Sequence, residues 1–142
     1  MAIRRPHIFI AAGVLVVIIP MWSYYYIALP SLEAEVTHQT QYFVIQLLER
    51  HIREFHSWPR GWEDLVRVHR GGEWLGFRWP DDLEEVKKRV TIDFTLDVER
   101  VSEMSVNNFS GYKLNGPSYG LDESGIKQLI TTAKGASQER ES

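Results

Sequence analysis

An uncharged apolar run, IFIAAGVLVVIIPMWSYYYIAL at residues 8–29, opens a chain that otherwise reads as water-soluble sequence. A helix that is apolar on every side needs a nonaqueous neighbour. From His7 to Leu29 there are 23 residues, about 34 Å as a helix, enough to cross a hydrocarbon core of roughly 30 Å. Pro20 is tolerated in that setting as a kink. Trp22, Tyr24, Tyr25 and Tyr26 gather at the C-terminal end, where amphipathic rings suit the headgroup layer.

Arg4 and Arg5 precede the run, and the first charges after it are Glu33 and Glu35. The positive-inside bias then places residues 1–7 in the cytoplasm, 8–29 across the bilayer and the remainder outside, in a periplasmic or extracellular space. A cleaved signal peptide needs small residues at the cut site. Cleavage after Ala28 or Ala34 would put Tyr26 or Leu32 at the critical position, so the run is expected to stay as a single-pass signal-anchor. It carries no ionisable residue, which argues against a transport site.

The 113 residues after the anchor suit one domain, expected at 30–134 with a disordered tail at 135–142. Setting aside Arg4 and Arg5, that portion holds 14 Lys/Arg against 19 Asp/Glu, a net of −5, which excludes the basic footprint of a nucleic-acid binder. The absence of cysteine removes disulfides, thiolate catalysis and cysteine zinc sites together.

Val36, Phe43, Val44, Leu47, Leu48, Ile52 and Phe55 recur at three- and four-residue spacing and predict a long amphipathic helix from Ser31 to His56. Glu49–Arg53 and Arg50–Glu54 would pair on its wet side. The THQTQ stretch, 37–41, polar all round, reads as a pliant neck. Trp58-Pro59 ends the helix, and Trp62, Leu65 and Val66 suggest a short second one. A short strand within 74–79 and a helix capped by Asp81, with Glu84–Lys88 and Glu85–Arg89 pairs, follow.

Val90, Ile92, Phe94, Leu96 and Val98 alternate with polar residues and predict a strand over 90–98. Weaker strands are expected at 104–109 and 112–114, then a last helix from Asp122 to about Lys134. The fold class is therefore α+β: a transmembrane helix continuing into a long amphipathic helix packed on a small antiparallel sheet. Val36, Phe43, Leu47 and Phe55 are expected to pack on Val90, Ile92, Phe94 and Leu96.

The stretch LLERHIREFHSWPRGWEDL, 47–65, resembles type IV pilin-like proteins and type II secretion pseudopilins. Phe55, Trp58, Pro59 and Leu65 stand where those proteins commonly place an aromatic, a second aromatic, proline and leucine. The chain lacks their glycine-ended leader and the glutamate of their membrane segment. What the resemblance implies is a pilin-like shape used as a fixed anchor and head, as a secretion or assembly component of the cell envelope.

Candidate chemistry is sparse. His51 and His56, five apart, do not share a helix face as an i,i+4 zinc pair would. Asp93, Asp97 and Glu99 would share the wet face of the best strand without an Asp-x-Asp-x-Asp-Gly calcium loop. Catalytic, cofactor-binding and metal assignments are accordingly none, and the chain is expected to be non-enzymatic. Four of five tryptophans fall within 22 residues, interleaved with arginines. Trp58, Arg60, Trp62, Arg67, Arg70, Trp74, Arg78 and Trp79 form the candidate partner surface, because Trp and Arg dominate interface hot spots. The plainer expectation is that these rings are core, with arginines lying over them.

Two functions follow: a membrane-anchored structural or docking protein with the bilayer and envelope proteins as partners, or a tethered ligand-binding or sensory head using 58–79. A deep pocket lined by Trp62, Trp74 and Trp79 would favour the second, and filled packing the first.

Overall fold

The polar stretch 37–41 does not interrupt the helix around it. In a computed structural model describing residues 21–69, 72–74 and 77–141, helix α1 runs unbroken over Leu29–Phe55. A π-helical turn, Tyr24–Ala28, leads into it. Residues 1–7, and 8–20 of the apolar run, lie outside the described residues. Among the described residues no helix is long and apolar enough to cross a membrane.

Instead of a pliant neck, 37–41 is built into the head. Thr37, Thr40 and Gln41 are fully buried, which requires their polar atoms to be satisfied. The two threonine hydroxyls donate to the carbonyls of Glu33 (2.9 Å) and Val36 (2.7 Å) one turn back. The Gln41 amide oxygen accepts from Tyr112 Oη at 2.7 Å and the Asp122 amide at 2.6 Å, while its nitrogen donates to the Gly120 carbonyl at 3.2 Å. A polar-looking segment therefore becomes a rigid one.

After α1 the chain turns at His56, which adopts the left-handed conformation at φ 49. Helix α2 follows at Trp62–Val68, then a ribbon of β1 (Gly72–Trp74) and β2 (Phe77–Trp79). Helix α3 covers Leu83–Arg89, where the ion pairs form at i,i+3, Glu84–Lys87 and Glu85–Lys88, rather than at the expected i,i+4. Strand β3 (Val90–Ile92) pairs antiparallel with β4 (Tyr112–Leu114), with Ile92 opposite Tyr112. Between them lie helix α4 (Val98–Glu103) and a 3-10 turn at Val106–Asn108, and helix α5 (Glu123–Glu141) closes the chain.

The coarse class is α+β, but helix dominates: among the described residues the strands form two separate two-stranded ribbons. The expected strand over 90–98 stops at Ile92. Asp93 ends it by accepting from both the amide (2.9 Å) and the hydroxyl (2.6 Å) of Thr95, and Asp97 caps α4 through the Arg100 amide at 2.7 Å. The period-2 burial persists in part, since Val90, Ile92 and Val98 point inward while Thr91, Thr95 and Asp97 stay exposed. Local Asx geometry overrides strand propensity there. The expected strand at 104–109 is replaced by the 3-10 turn, held by Asn108 Oδ1 against the Ser105 amide and hydroxyl.

The main partner of α1 is α5, not a sheet. Contacts climb in step, from Ile45 near Gly125, through Glu49 with Gln128 and Thr132, to His56 with Glu139 at 3.1 Å. The two helices therefore run in the same direction. Glu49, expected on the wet side, is 4 % exposed and accepts from Gln128 Nε2 and Thr132 Oγ1, each at 3.2 Å, with Arg53 at 3.6 Å. Arg50 reaches His69 Nδ1 at 3.2 Å. The tail expected to be disordered continues α5 through 135–141, because Ala133 and Ala136 carry its buried stripe onward. Phe43 and Leu47 enter the core as expected, with Val36, Phe94 and Leu96 partly buried against it. Phe55 does not: its ring is 49 % exposed and lies on His51 at 4.8 Å.

Candidate functional site

Of the tryptophans of 58–79 whose side chains are described, Trp58 and Trp79 are core residues and Trp62 packs partly buried against the core. Trp58 is buried beneath the turn that follows α1, and its Nε1 donates to the Asp93 carbonyl at 2.8 Å. Gly111 permits that fit, since a Cβ there would lie 2.5 Å from Phe109 Cζ and 3.0 Å from Trp58 Cη2. Trp79 is buried edge-on to Phe43 at 5.1 Å, and Phe77 stacks on the same ring at 6.1 Å. Trp62 is half-buried, edge-on to Phe94 at 5.7 Å. Arg70 and the side chain of Trp74 lie outside the described residues.

The segment thus divides by chemistry. Its described rings fill the interior, and Arg60, Arg67 and Arg78 remain exposed. Arg78 folds back on its own turn, where its amide donates to Asp82 Oδ2 at 2.7 Å. Arg60 and Arg67 instead stand at the rim of a cleft of about 210 Å³ between the end of α1 and α2. Trp58 and Phe55 supply its apolar wall, Ser57 a hydroxyl, and His51 and Asp64 the remaining polar lining. Asp64 organises this rim: its Oδ2 accepts from the Arg60 amide at 2.9 Å and its Oδ1 lies 3.6 Å from Arg67.

His51 is the unusual member. It is 5 % exposed, and its Nδ1 is buried without a hydrogen-bond partner. Burial pushes its pKa below the ordinary 6.5, against smaller opposing pulls from Asp64 and Glu54. It therefore lines the cleft as a neutral imidazole at neutral pH. The cleft combines two cationic arms with the Asp64 carboxylate, a neutral imidazole and an aromatic wall, and its arginines are the groups that could hold an oxyanion.

The candidate partner surface predicted from sequence therefore converges only in part: Trp58, Arg60 and Arg67 meet in this cleft, whereas Trp62, Arg78 and Trp79 do not line it. Sequence reasoning missed His51, Phe55, Ser57 and Asp64. The i,i+4 spacing of His51 and Phe55, on one helix face, was the available signal. A second, larger groove of about 360 Å³ runs along α1 at Gln46, Arg50 and Arg53, with both signs of charge on its walls.

The acidic residues considered for calcium serve as turn and cap. The two hydrogen bonds from Thr95 hold the Asp93 carboxyl below its usual range, and Glu99 meets Arg140 at 2.9 Å. Among the described residues no group of three His, Cys, Asp or Glu side chains is placed to hold a metal ion. No protein family, curated protein or solved structure matches the chain.

Proposed function

We propose that this chain is a membrane-tethered, non-enzymatic head that docks a partner of the cell envelope. The observation that carries the reading is how 58–79 is used: Trp58 and Trp79 are packed inside and Trp62 lies half-buried against the core, leaving Arg60 and Arg67 at the rim of the cleft. A pocket lined by Trp62, Trp74 and Trp79 would instead mark a ligand-binding head, and the side chain of Trp74 lies outside the described residues. The tether is the apolar run 8–29, with Arg4 and Arg5 before it and acids after it. A pilin-like role in secretion or assembly is the finer form of the proposal, resting on the resemblance of 47–65 and on a long helix leading from that run into the head.

A photo-crosslinking amino acid at Arg67, in the full chain in its native membranes, tests docking. The expected result is one discrete adduct with an envelope-assembly protein, lost on Arg60→Glu and not formed from Lys113. Equal or absent adducts at both positions would overturn it. A small carboxylate or phosphate ligand is the second reading, favoured by the unpartnered Nδ1 of His51 in the cleft. Saturable binding of that class of compound to the purified full chain would select it.

A further inference from the structure

Segment 115–121, NGPSYGL, is uncharged in a chain that is 25 % charged, and it lies between Lys113 and Asp122. It leaves β4 and returns to the start of α5 along the lower part of α1. Two glycines with positive φ, Gly116 at 87 and Gly120 at 104, shape its turns. Its far end is fixed to α1 by Gln41, which meets the Gly120 carbonyl and the Asp122 amide. Tyr119 then reaches toward the N-terminus of the helix: its ring lies 6.4 Å from that of His38, and its hydroxyl donates to the Ser31 carbonyl at 3.0 Å.

Ser31 is two residues beyond the apolar run. Tyr26, the last ring of the aromatic collar, precedes Ser31 by five residues, about 7–8 Å of helical rise, and a headgroup layer is about 5–7 Å deep. Ser31 therefore lies at the outer edge of the layer those rings mark. Tyr119 is 63 % exposed there and Leu121 is 47 % exposed beside it, on the same end of the head as the collar of Trp22, Tyr24, Tyr25 and Tyr26. An amphipathic ring with its polar tip toward the interface is the arrangement found in aromatic belts.

We propose that loop 115–121 is a second membrane contact, in which Tyr119 seats the head on the lipid headgroup layer beside its anchor. This inference rests on the tethered reading above. The loop gives the helix a lateral prop at its exit from lipid, so the head is held at a fixed height rather than swinging. The occupant is a lipid surface because the apolar run enters the structure directly beneath this loop, and because the loop offers no charge to a protein partner.

The absence of cysteine allows clean single-site labelling. Ser118→Cys, next to Tyr119 and exposed, carries an environment-sensitive fluorophore in the full chain, reconstituted into phosphatidylethanolamine–phosphatidylglycerol vesicles. Glu54→Cys, about 35 Å above Ser31 along α1, is the control. Headgroup-placed spin-labelled phosphatidylcholine should quench the label at 118 several-fold more than the label at 54, and Tyr119→Asp should at least halve the quenching at 118 while leaving that at 54 unchanged. Equal quenching at both sites, with the chain still held by the vesicles after a carbonate wash, would overturn the inference. Loss of the chain in that wash would instead remove the tether on which it depends.

Discussion

Two glycines of α5 make one substitution with two opposite outcomes. Gly125 and Gly135 lie on the same helix, and each is replaced by alanine. At Gly135 a new Cβ meets nothing within 4 Å, so Gly135→Ala should register only the helix preference, a gain of about 0.5–1 kcal/mol. At Gly125 the Cβ would lie 2.7 Å from Ile45 Cδ1 and 2.6 Å from Asp122 Oδ2. Carbon atoms pack at about 3.5–4.0 Å, so Ile45 would have to retreat by roughly 1 Å. Ile45 is 2 % exposed, and overpacking a filled core costs about 1–3 kcal/mol. Asp122 also caps the helix through the Gly125 amide at 3.1 Å, so its displacement adds to that cost.

The net for Gly125→Ala is a destabilisation of about 0.5–2 kcal/mol after the helix preference is credited. Thermal unfolding of the full chain in detergent, followed by circular dichroism, should show Tm falling by several degrees, while Gly135→Ala raises it. Ile45→Val deletes the clashing Cδ1. Alone it should cost about 0.5–1.5 kcal/mol, and in the Gly125→Ala background it should cost much less or stabilise. If both alanine variants raise Tm, or if the Ile45→Val effect is the same in both backgrounds, α5 does not begin against Ile45 and the packing argument is wrong.

Trp58→Phe keeps a ring but strands the Asp93 carbonyl, and should cost about 1–3 kcal/mol in denaturant unfolding; a variant as stable as the parent would show that the bond is unimportant. Since the folded state holds His51 below its ordinary pKa, the unfolded chain takes up a proton that the folded one refuses. Stability should therefore be full above about pH 6.5 and fall as pH drops toward the folded value. The Tm of the parent should decline more than that of His51→Asn between about pH 7.5 and 5.5, and parallel curves would contradict this. Burial pushes the Tyr112 phenol up to about 12, so its stabilising contribution is full below about pH 10 and lost above it as the folded value is approached. Ultraviolet titration should show one late tyrosine, absent in Tyr112→Phe.

The helices were legible where a stripe of apolar residues repeated at helical spacing, as in α1 from Phe43 to Ile52 and α5 from Ile126 to Ile130. Sequence failed where a side chain answered the backbone. Asp93 and Asp97 carry the polar half of a strand pattern, yet each accepts backbone hydrogen bonds that end or begin an element. Burial of polar residues was equally hidden: Gln41 and Glu49 are interior because partners 71 to 83 residues away satisfy them. Of the candidate site, Trp58, Arg60 and Arg67 were visible as a composition bias. His51 and Asp64 were not, since their role depends on how the turn at His56 folds α2 back toward α1. The interior use of Trp79 follows from its pairing with Phe43, a contact no local pattern announces.

Retention in lipid is the claim on which the rest depends, and alkaline extraction reads it directly. Membranes bearing the full-length chain, washed in carbonate and pelleted, should keep it with the lipid as an integral protein. Finding the intact chain in the wash would mean that residues 8–29 do not tether it, and the docking head would lose its place in the envelope.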